Sequence, residues 1–177
     1  LTKLLNNIIS NPLDNGNENF LPSSLQIATI DIGNSAQNII PEIAKATINI
    51  RYNDGHTKES LTDWMQNKID TFFNDYQNVS CSFTTEANAD SFLTKKGYLT
   101  KLMAKSISEV TGQNTEPEFA TDGGTSDARF IKDYCEVAEL GIINKTLHKI
   151  DEFVFLEDIK KLKKIYLQII ENYFKKN

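Results

Sequence analysis

The stretch AKATINIRY, residues 44–52, alternates cleanly in polarity with a period of two. Small and apolar side chains fall on one face, which is typical of a β-strand with one buried side. The residues on the opposite, polar face are Lys45, Thr47, Asn49 and Arg51. NDGHT, 53–57, then predicts a turn in which Thr57 caps a helix and His56 is exposed to solvent.

The flanking segments extend this pattern in both directions. A helix is predicted at the start of the chain, and 24–33 reads as a strand whose alternation shifts phase near Thr29, as at a β-bulge. The helix after Thr57 has a wide apolar face, and 79–86 alternates again as a strand with Val79, Cys81 and Phe83 inward.

The predicted order is therefore helix, strand, strand, helix, strand. One more strand in front would complete the βαββαβ ferredoxin-like unit. Leu1 is not an initiator residue, and the chain begins within helical sequence, so we expect a piece of a longer protein that lacks this strand. In such an antiparallel sheet, a polar row containing Arg51 requires solvent, a partner or a function.

The second half of the chain has a different pattern. A helix near 99–112, a short apolar strand at 135–142 and a long terminal helix from 156 predict a separate α/β segment. The fold class is accordingly mixed α/β (α+β), with one domain at 1–90 and a second at 91–177.

Composition excludes several classes of function. The chain has 177 residues and a net charge of -5, which gives no reason to expect nucleic acid or a membrane surface as partner. Its apolar runs are short, and its two cysteines lie far apart without metal-binding spacing. We therefore expect a cytoplasmic protein with reduced cysteines.

Two features could carry chemistry. The glycines of TDGGTSDARF, 121–130, precede a predicted helix, 126–134, so they form either a simple turn or a cradle of N–H groups for an anion. His148, in the loop NKTLHKIDE, is either an ordinary surface histidine or a zinc ligand. A catalytic zinc needs about three protein ligands, so this chain by itself does not complete an active site.

These motifs resemble a known family. GGTSDARFI, 123–131, followed by VAELGIINKTLHKIDE, 137–152, is similar to the C-terminal signature of the desuccinylases in the aminoacylase/carboxypeptidase clan of di-zinc amidohydrolases. Residues 20–53 and 92–99 look like the dimerisation domain of the same family and its exit. The resemblance covers essentially the whole chain.

The resemblance implies a different role for each part of the chain. Residues 1–90 would be a ferredoxin-like dimerisation (lid) domain lacking its first strand, and 91–177 would be the C-terminal part of a zinc-peptidase-like catalytic domain. A homodimer would form through 1–90. By motif match, His148 would be a metal ligand and no catalytic residue would lie in this chain. The implied substrate-binding residues are Asn38, Arg51, Gly124, Thr125 and Asn144.

The implied reaction is hydrolysis of N-succinyl-L,L-2,6-diaminopimelate. The full enzyme would hold two zinc ions per active site, with cobalt as a substitute, while this chain would be inactive and bind zinc weakly or not at all. Gln37 and Asn88 depart from the expected asparagine and serine, which leaves those contacts open. The alternatives are a related deacylase, such as an acetylornithine deacetylase, and a non-catalytic dimerisation or ligand-binding module.

Overall fold

The computed structural model describes residues 1–113, 117–121, 126–143 and 145–175. It divides into two compact units, Leu1–Phe92 and Leu93–Asn177. The described elements of the chain are helices and a small sheet in the first unit, so the mixed α/β class holds. The functional roles assigned to 1–90 and 91–177 stay predictions.

The first unit contains two helices and a hairpin. Its elements are α1 (Thr2–Ile9), β1 (Ser24–Asp31), β2 (Lys45–Arg51) and α2 (Lys58–Phe73). The strands pair antiparallel from Ser24 opposite Arg51 to Asp31 opposite Lys45. The register shifts between Ile27 and Thr29, which confirms the predicted bulge.

The core of this unit lies where α1 and α2 meet one face of the hairpin. Leu4 and Ile8 of α1 pack with Met65 and Ile69 of α2, and all four are buried. The partly buried side chains around this cluster include Leu25, Ile48, Ile50, Trp64, Phe72, Phe73 and Phe83. The predicted apolar faces of both helices and of β2 are confirmed.

The first turn of α2 is fixed by the predicted cap. Thr57 Oγ1 accepts from the N–H of Ser60 at 3.2 Å, and Ser60 Oγ accepts from the N–H of Thr57 at 2.9 Å. This reciprocal pair satisfies two backbone donors that the helix itself cannot. The start of α2, and the turn before it, are therefore set locally.

The second unit is built mainly from two helices. These are α3 (Tyr98–Thr111) and α4 (Leu156–Phe174), with a 3₁₀ helix at Asp127–Phe130 between them. As predicted, α3 ends before Gly112, whose φ of 71° suits a glycine C-cap. The hydroxyl of Tyr166 in α4 donates to the carbonyl oxygen of Leu140.

The N-terminus of α3 is capped from a distance. Glu136 Oε2 accepts from the N–H of Leu99 at 2.9 Å, and Oε1 accepts from that of Tyr98 at 3.3 Å. A carboxylate here is favoured by the helix dipole. A Cβ on Gly97 would lie 1.9 Å from Glu136 Oε1, so the close approach depends on glycine.

Three predicted elements are wrong. Residues 79–86 and 135–142 form no strand, and the sheet among the described residues contains only β1 and β2. Of the side chains predicted inward in 79–86, Val79 and Cys81 are exposed and only Phe83 packs on the core. The predicted helix at 126–134 is one 3₁₀ turn, Asp127–Phe130, followed by further turns.

The order helix, strand, strand, helix is thus present, without the final strand of the predicted unit. The ferredoxin-like assignment remains a prediction. Within the described part of the chain, every helix is too short or too polar to cross a lipid bilayer.

Candidate functional site

Arg51 ends β2 on the polar side of the hairpin. Its strand position is fixed by pairing with Ser24. The residue is exposed, and its side chain has no hydrogen bond or ion pair with any described residue. An unpaired guanidinium on a defined strand can bind a carboxylate through two parallel hydrogen bonds.

A polar centre formed by Asp14, Ser23, Asn53 and His56 lies directly beside this strand end. Asp14 Oδ1 accepts from the N–H of Gly16 at 2.7 Å and from Asn53 Nδ2 at 2.8 Å. The N–H of Ser23 lies 3.1 Å from the same oxygen, and Ser23 Oγ accepts from the N–H of Asn53 at 3.1 Å. The loop before β1 is thereby joined to the chain after β2.

The charge of Asp14 is stabilised by these donors. Burial of the carboxylate by itself would raise its pKa, but hydrogen bonds from Ser23, the N–H of Gly16 and Asn53 hold that pKa well below its usual range. The side chain therefore serves as a fixed anion at neutral pH.

The prediction that His56 is a solvent-exposed turn residue is wrong. Its Nε2 lies 3.0 Å from Asp14 Oδ2, and both side chains are only 21% exposed. The reason is tertiary: Asp14, far away in sequence, folds over the turn and offers the imidazole an acceptor. A protonated His56 forms an ion pair with this carboxylate.

A second anchor holds the same strand end. The hydroxyl of Tyr52 donates to Asp90 Oδ1 at 2.9 Å and lies 3.3 Å from the carbonyl oxygen of Ala89. Burial raises the pKa of Tyr52 to about 12, with Asp90 adding to the shift. The phenol is therefore a stable donor, and it ties the segment at 89–90 to the end of β2.

Asn38 lies at the other end of the hairpin. It occupies an exposed turn in the connection 32–44, which leaves β1 after Asp31 and enters β2 at Lys45. Lys45 and Arg51 are six residues apart, about 20 Å along a strand. No described contact joins Asn38 with Arg51, so the hairpin does not gather these two predicted residues into one site.

The turn that carries Asn38 is organised by Asn34. The Asn34 amide donates to the carbonyl oxygens of Ile39 at 2.8 Å and Ala36 at 3.0 Å, and its Oδ1 accepts from the N–H of Ala36. These local bonds replace the ladder that ends at Asp31.

His148 is held on a turn closed by one threonine. Thr146 Oγ1 donates to the carbonyl oxygen of Phe153 at 2.6 Å and accepts from its N–H at 3.2 Å. His148 and Asp151 both have left-handed backbones, with φ of 59° and 58°. The imidazole is exposed, and such strained non-glycine positions are concentrated at functional sites.

The described part of the glycine loop begins at Ser126. Ser126 Oγ accepts from the N–H of Ala128 at 2.9 Å and lies 2.5 Å from Glu139 Oε1, so it caps the 3₁₀ turn. The guanidinium of Arg129 stacks on Phe130, 4.6 Å from the ring centre. The predicted substrate residues Gly124, Thr125 and Asn144 lie outside the described residues.

The described residues do not assemble a metal centre by themselves. Among them, no three histidine, cysteine or acidic side chains cluster closely enough to hold an ion. His148 has an accessible imidazole, and Glu152 Oε2 approaches its backbone N–H at 3.4 Å. The assignment of His148 as a metal ligand stays a prediction.

Sequence reasoning missed the role of Asp14, Asn34 and Glu136. Asp14 precedes Gly16 in a polar loop, a pattern typical of an Asx turn, which gave a local signal but not its distant partners. The Glu136 cap spans 37 residues, so no local pattern could reveal it.

Comparison with known proteins gives the class. The profile described as Peptidase family M20/M25/M40 matches residues 14–172, so the chain belongs to this family. The match includes strand β2, which ends at Arg51, and the loop that carries His148.

Curated relatives show which members of the family this chain is similar to. The chain is 44% identical over 174 residues to the succinyl-diaminopimelate desuccinylase of Paracoccus denitrificans and 42% identical to that of Parvibaculum lavamentivorans. The corresponding protein of Cereibacter sphaeroides is 41% identical. The alignments cover 98% of this chain and 45%, 43% and 45% of these relatives, so the chain spans less than half of their length.

Proposed function

We propose that this chain is part of a metal-dependent amide hydrolase that converts N-succinyl-L,L-2,6-diaminopimelate and water to succinate and L,L-diaminopimelate. The observation that carries the proposal is the 41–44% identity to proteins named succinyl-diaminopimelate desuccinylase, over 98% of the chain. The activity belongs to the full-length protein rather than to the isolated chain.

The substrate carries several carboxylates, and Arg51 suits one of them. Its exposed guanidinium has no competing acceptor among the described residues. The amide of Asn38 would supply a further polar contact, presented by the turn that Asn34 holds. Gly124, Thr125 and Asn144 would line the acyl or amino-acid side of the site, a role that rests on the motif match.

His148 would hold one zinc ion, of two per active site, with cobalt as a substitute. Support comes from its exposed ring on a turn clipped by Thr146. When bound, zinc would polarise the scissile carbonyl and lower the pKa of a bound water. By the motif match, the other ligands and the general base would come from parts of the full-length protein other than this chain.

The first unit would form the homodimer, and the enzyme would be cytoplasmic. The support for dimerisation is a row of apolar side chains exposed on and after β1: Ile30, Ile32, Ile39, Ile40 and Ile43. Ultracentrifugation of the full-length protein and of its Ile40→Asp variant tests this, since a polar substitution at the interface should shift the dimer towards monomer.

The activity is tested on the purified full-length protein loaded with zinc. Hydrolysis of N-succinyl-diaminopimelate, its loss with a chelator and its return with zinc or cobalt are expected. His148→Ala should lower bound zinc and abolish most activity, while the neighbouring surface variant Lys149→Ala should do neither. Cleavage of N-acetylornithine in preference to the succinyl substrate would reject the substrate assignment.

A further inference from the structure

Arg51 is a long side chain at a backbone position that is restrained on both sides. On its N-terminal side, β2 pairs with β1 up to the pair Ser24–Arg51. On its C-terminal side, the ladder has ended, so nothing in the sheet holds residues 52 and 53. An arginine at a frayed strand end would lose more conformational entropy on binding a ligand than an arginine whose backbone is already restrained.

Two carboxylates restrain this C-terminal side instead. Asn53 is buried, at 5% exposure, and its Nδ2 donates to Asp14 Oδ1 at 2.8 Å. Tyr52 donates to Asp90 Oδ1 at 2.9 Å. The two anchors therefore restrain the two residues that directly follow Arg51.

Neither anchor uses Arg51 itself. Asp14 and Asp90 are the two acids of these anchors, yet neither forms an ion pair with the guanidinium, which has no partner among the described residues. Asp14 is occupied by Gly16, Ser23 and Asn53. The restraint therefore fixes the arginine backbone without neutralising its charge.

We propose that Asp14 and Asp90 are positioning residues for Arg51, which they hold ready to bind a carboxylate of the substrate. The inference rests on the proposed function, because it takes Arg51 as a substrate-binding residue. The two acids act through Asn53 and Tyr52 and do not touch the substrate.

The test is a double-mutant cycle in the full-length enzyme, with kcat and KM measured for N-succinyl-diaminopimelate. The single variants are Arg51→Met, Asp14→Asn and Tyr52→Phe, and each of the last two is combined with Arg51→Met. Asp63→Asn is the matched control, because Asp63 is an exposed helical carboxylate without a described partner.

We expect Asp14→Asn and Tyr52→Phe each to raise KM about tenfold while kcat changes by less than about threefold. In the Arg51→Met background, which has a high KM already, neither should raise KM further. Non-additivity of this kind shows that the anchors act through the arginine. The control variant should match the wild type.

Equal effects with and without Arg51 would overturn the inference, because they would reveal a purely structural role. If Asp14→Asn does not fold, as judged by circular dichroism, Tyr52→Phe decides alone. An unchanged KM in Arg51→Met, with desuccinylase activity intact, would overturn the inference but leave the proposed function standing. A full-length enzyme that never cleaves the succinyl substrate would reject both.

Discussion

The two units differ in how completely they cover their own apolar surface. In the first, Leu4 and Ile8 meet Met65 and Ile69 in one buried cluster, with a polar centre around Asp14 beside it. In the second, Ile165 is the only described residue of the 19-residue α4 that is buried, although the helix has a long apolar stripe. Its exposed apolar residues include Leu156, Ile159, Tyr166, Leu167, Ile170, Tyr173 and Phe174.

The difference shows what each unit needs. The first closes a core with its own helices and hairpin, which suits a domain inserted into a longer chain. The second leaves much of the apolar stripe of α4 exposed. That imbalance supports the proposal that it completes a catalytic domain whose other part lies outside this chain.

The largest effect is expected from the core of the first unit. Ile8 is 1% exposed, so Ile8→Ala removes buried methyl groups and leaves a cavity. We expect the free energy of unfolding to fall by about 2–5 kcal/mol in urea titrations. The neighbouring Ile9→Ala, at a position 48% exposed, should change it by less than about 0.5 kcal/mol. A similar loss from both variants would show that the cluster does not hold this unit together.

The polar centre should rank next. Asp14→Ala removes the acceptor for the buried Asn53 amide and for the N–H of Gly16. Leaving buried donors unpaired should cost about 1–3 kcal/mol in the same titration. Asp63→Ala, at an exposed helical position, is the control. If Asp14→Ala lowers the free energy of unfolding no more than the control does, water replaces Asp14 as the acceptor for these donors.

A distant cap provides the corresponding test in the second unit. Gly97→Ala would push the Glu136 carboxylate away from the N–H groups of Tyr98 and Leu99. Loss of a helix cap should lower stability by about 0.5–2 kcal/mol, measured by thermal unfolding. Glu136→Gln keeps the shape but loses the charge, so it should lose less. No change in either variant would mean that the cap contributes nothing to α3.

The smallest effect needs only a change of pH. The pKa of Asp14 is lower in the folded state than in the unfolded state, so below the unfolded pKa the unfolded chain binds more protons. This contribution to stability is complete above the ordinary carboxyl range and is lost as pH falls through the folded pKa. In Asp14→Asn, the free energy of unfolding should fall less steeply with decreasing pH. The His56→Ala variant removes the imidazole that faces Asp14, so it shows how much of the effect depends on that contact. An unaltered acid limb in Asp14→Asn would contradict this.

Local patterns predicted much of the fold. The alternation of 44–52, the Thr57 cap and the Gly112 stop depend on neighbours within one strand or turn, and all are present. The predicted strands at 79–86 and 135–142 failed because a strand needs a partner backbone, and alternation cannot say whether one is available.

The site divides in the same way. The motifs predicted Arg51, Asn38 and His148 as site residues, a role that stays a prediction, and all three are exposed. The groups that hold them were less accessible to sequence reasoning. Thr146 acts within its own loop, whereas Asp14 reaches Asn53 across 39 residues and His56 across 42. Side chains that act locally could be predicted, and those that join distant loops could not.

The long reach of Asp14 also has a consequence for folding kinetics. Its bonds to Asn53 and His56 close longer loops than the hairpin does, so we expect them to form after the hairpin. The centre should therefore be absent from the folding transition state. Substitutions at Asp14 should then accelerate unfolding and leave the folding rate nearly unchanged. The polar centre would therefore set the lifetime of the folded strand end that carries Arg51.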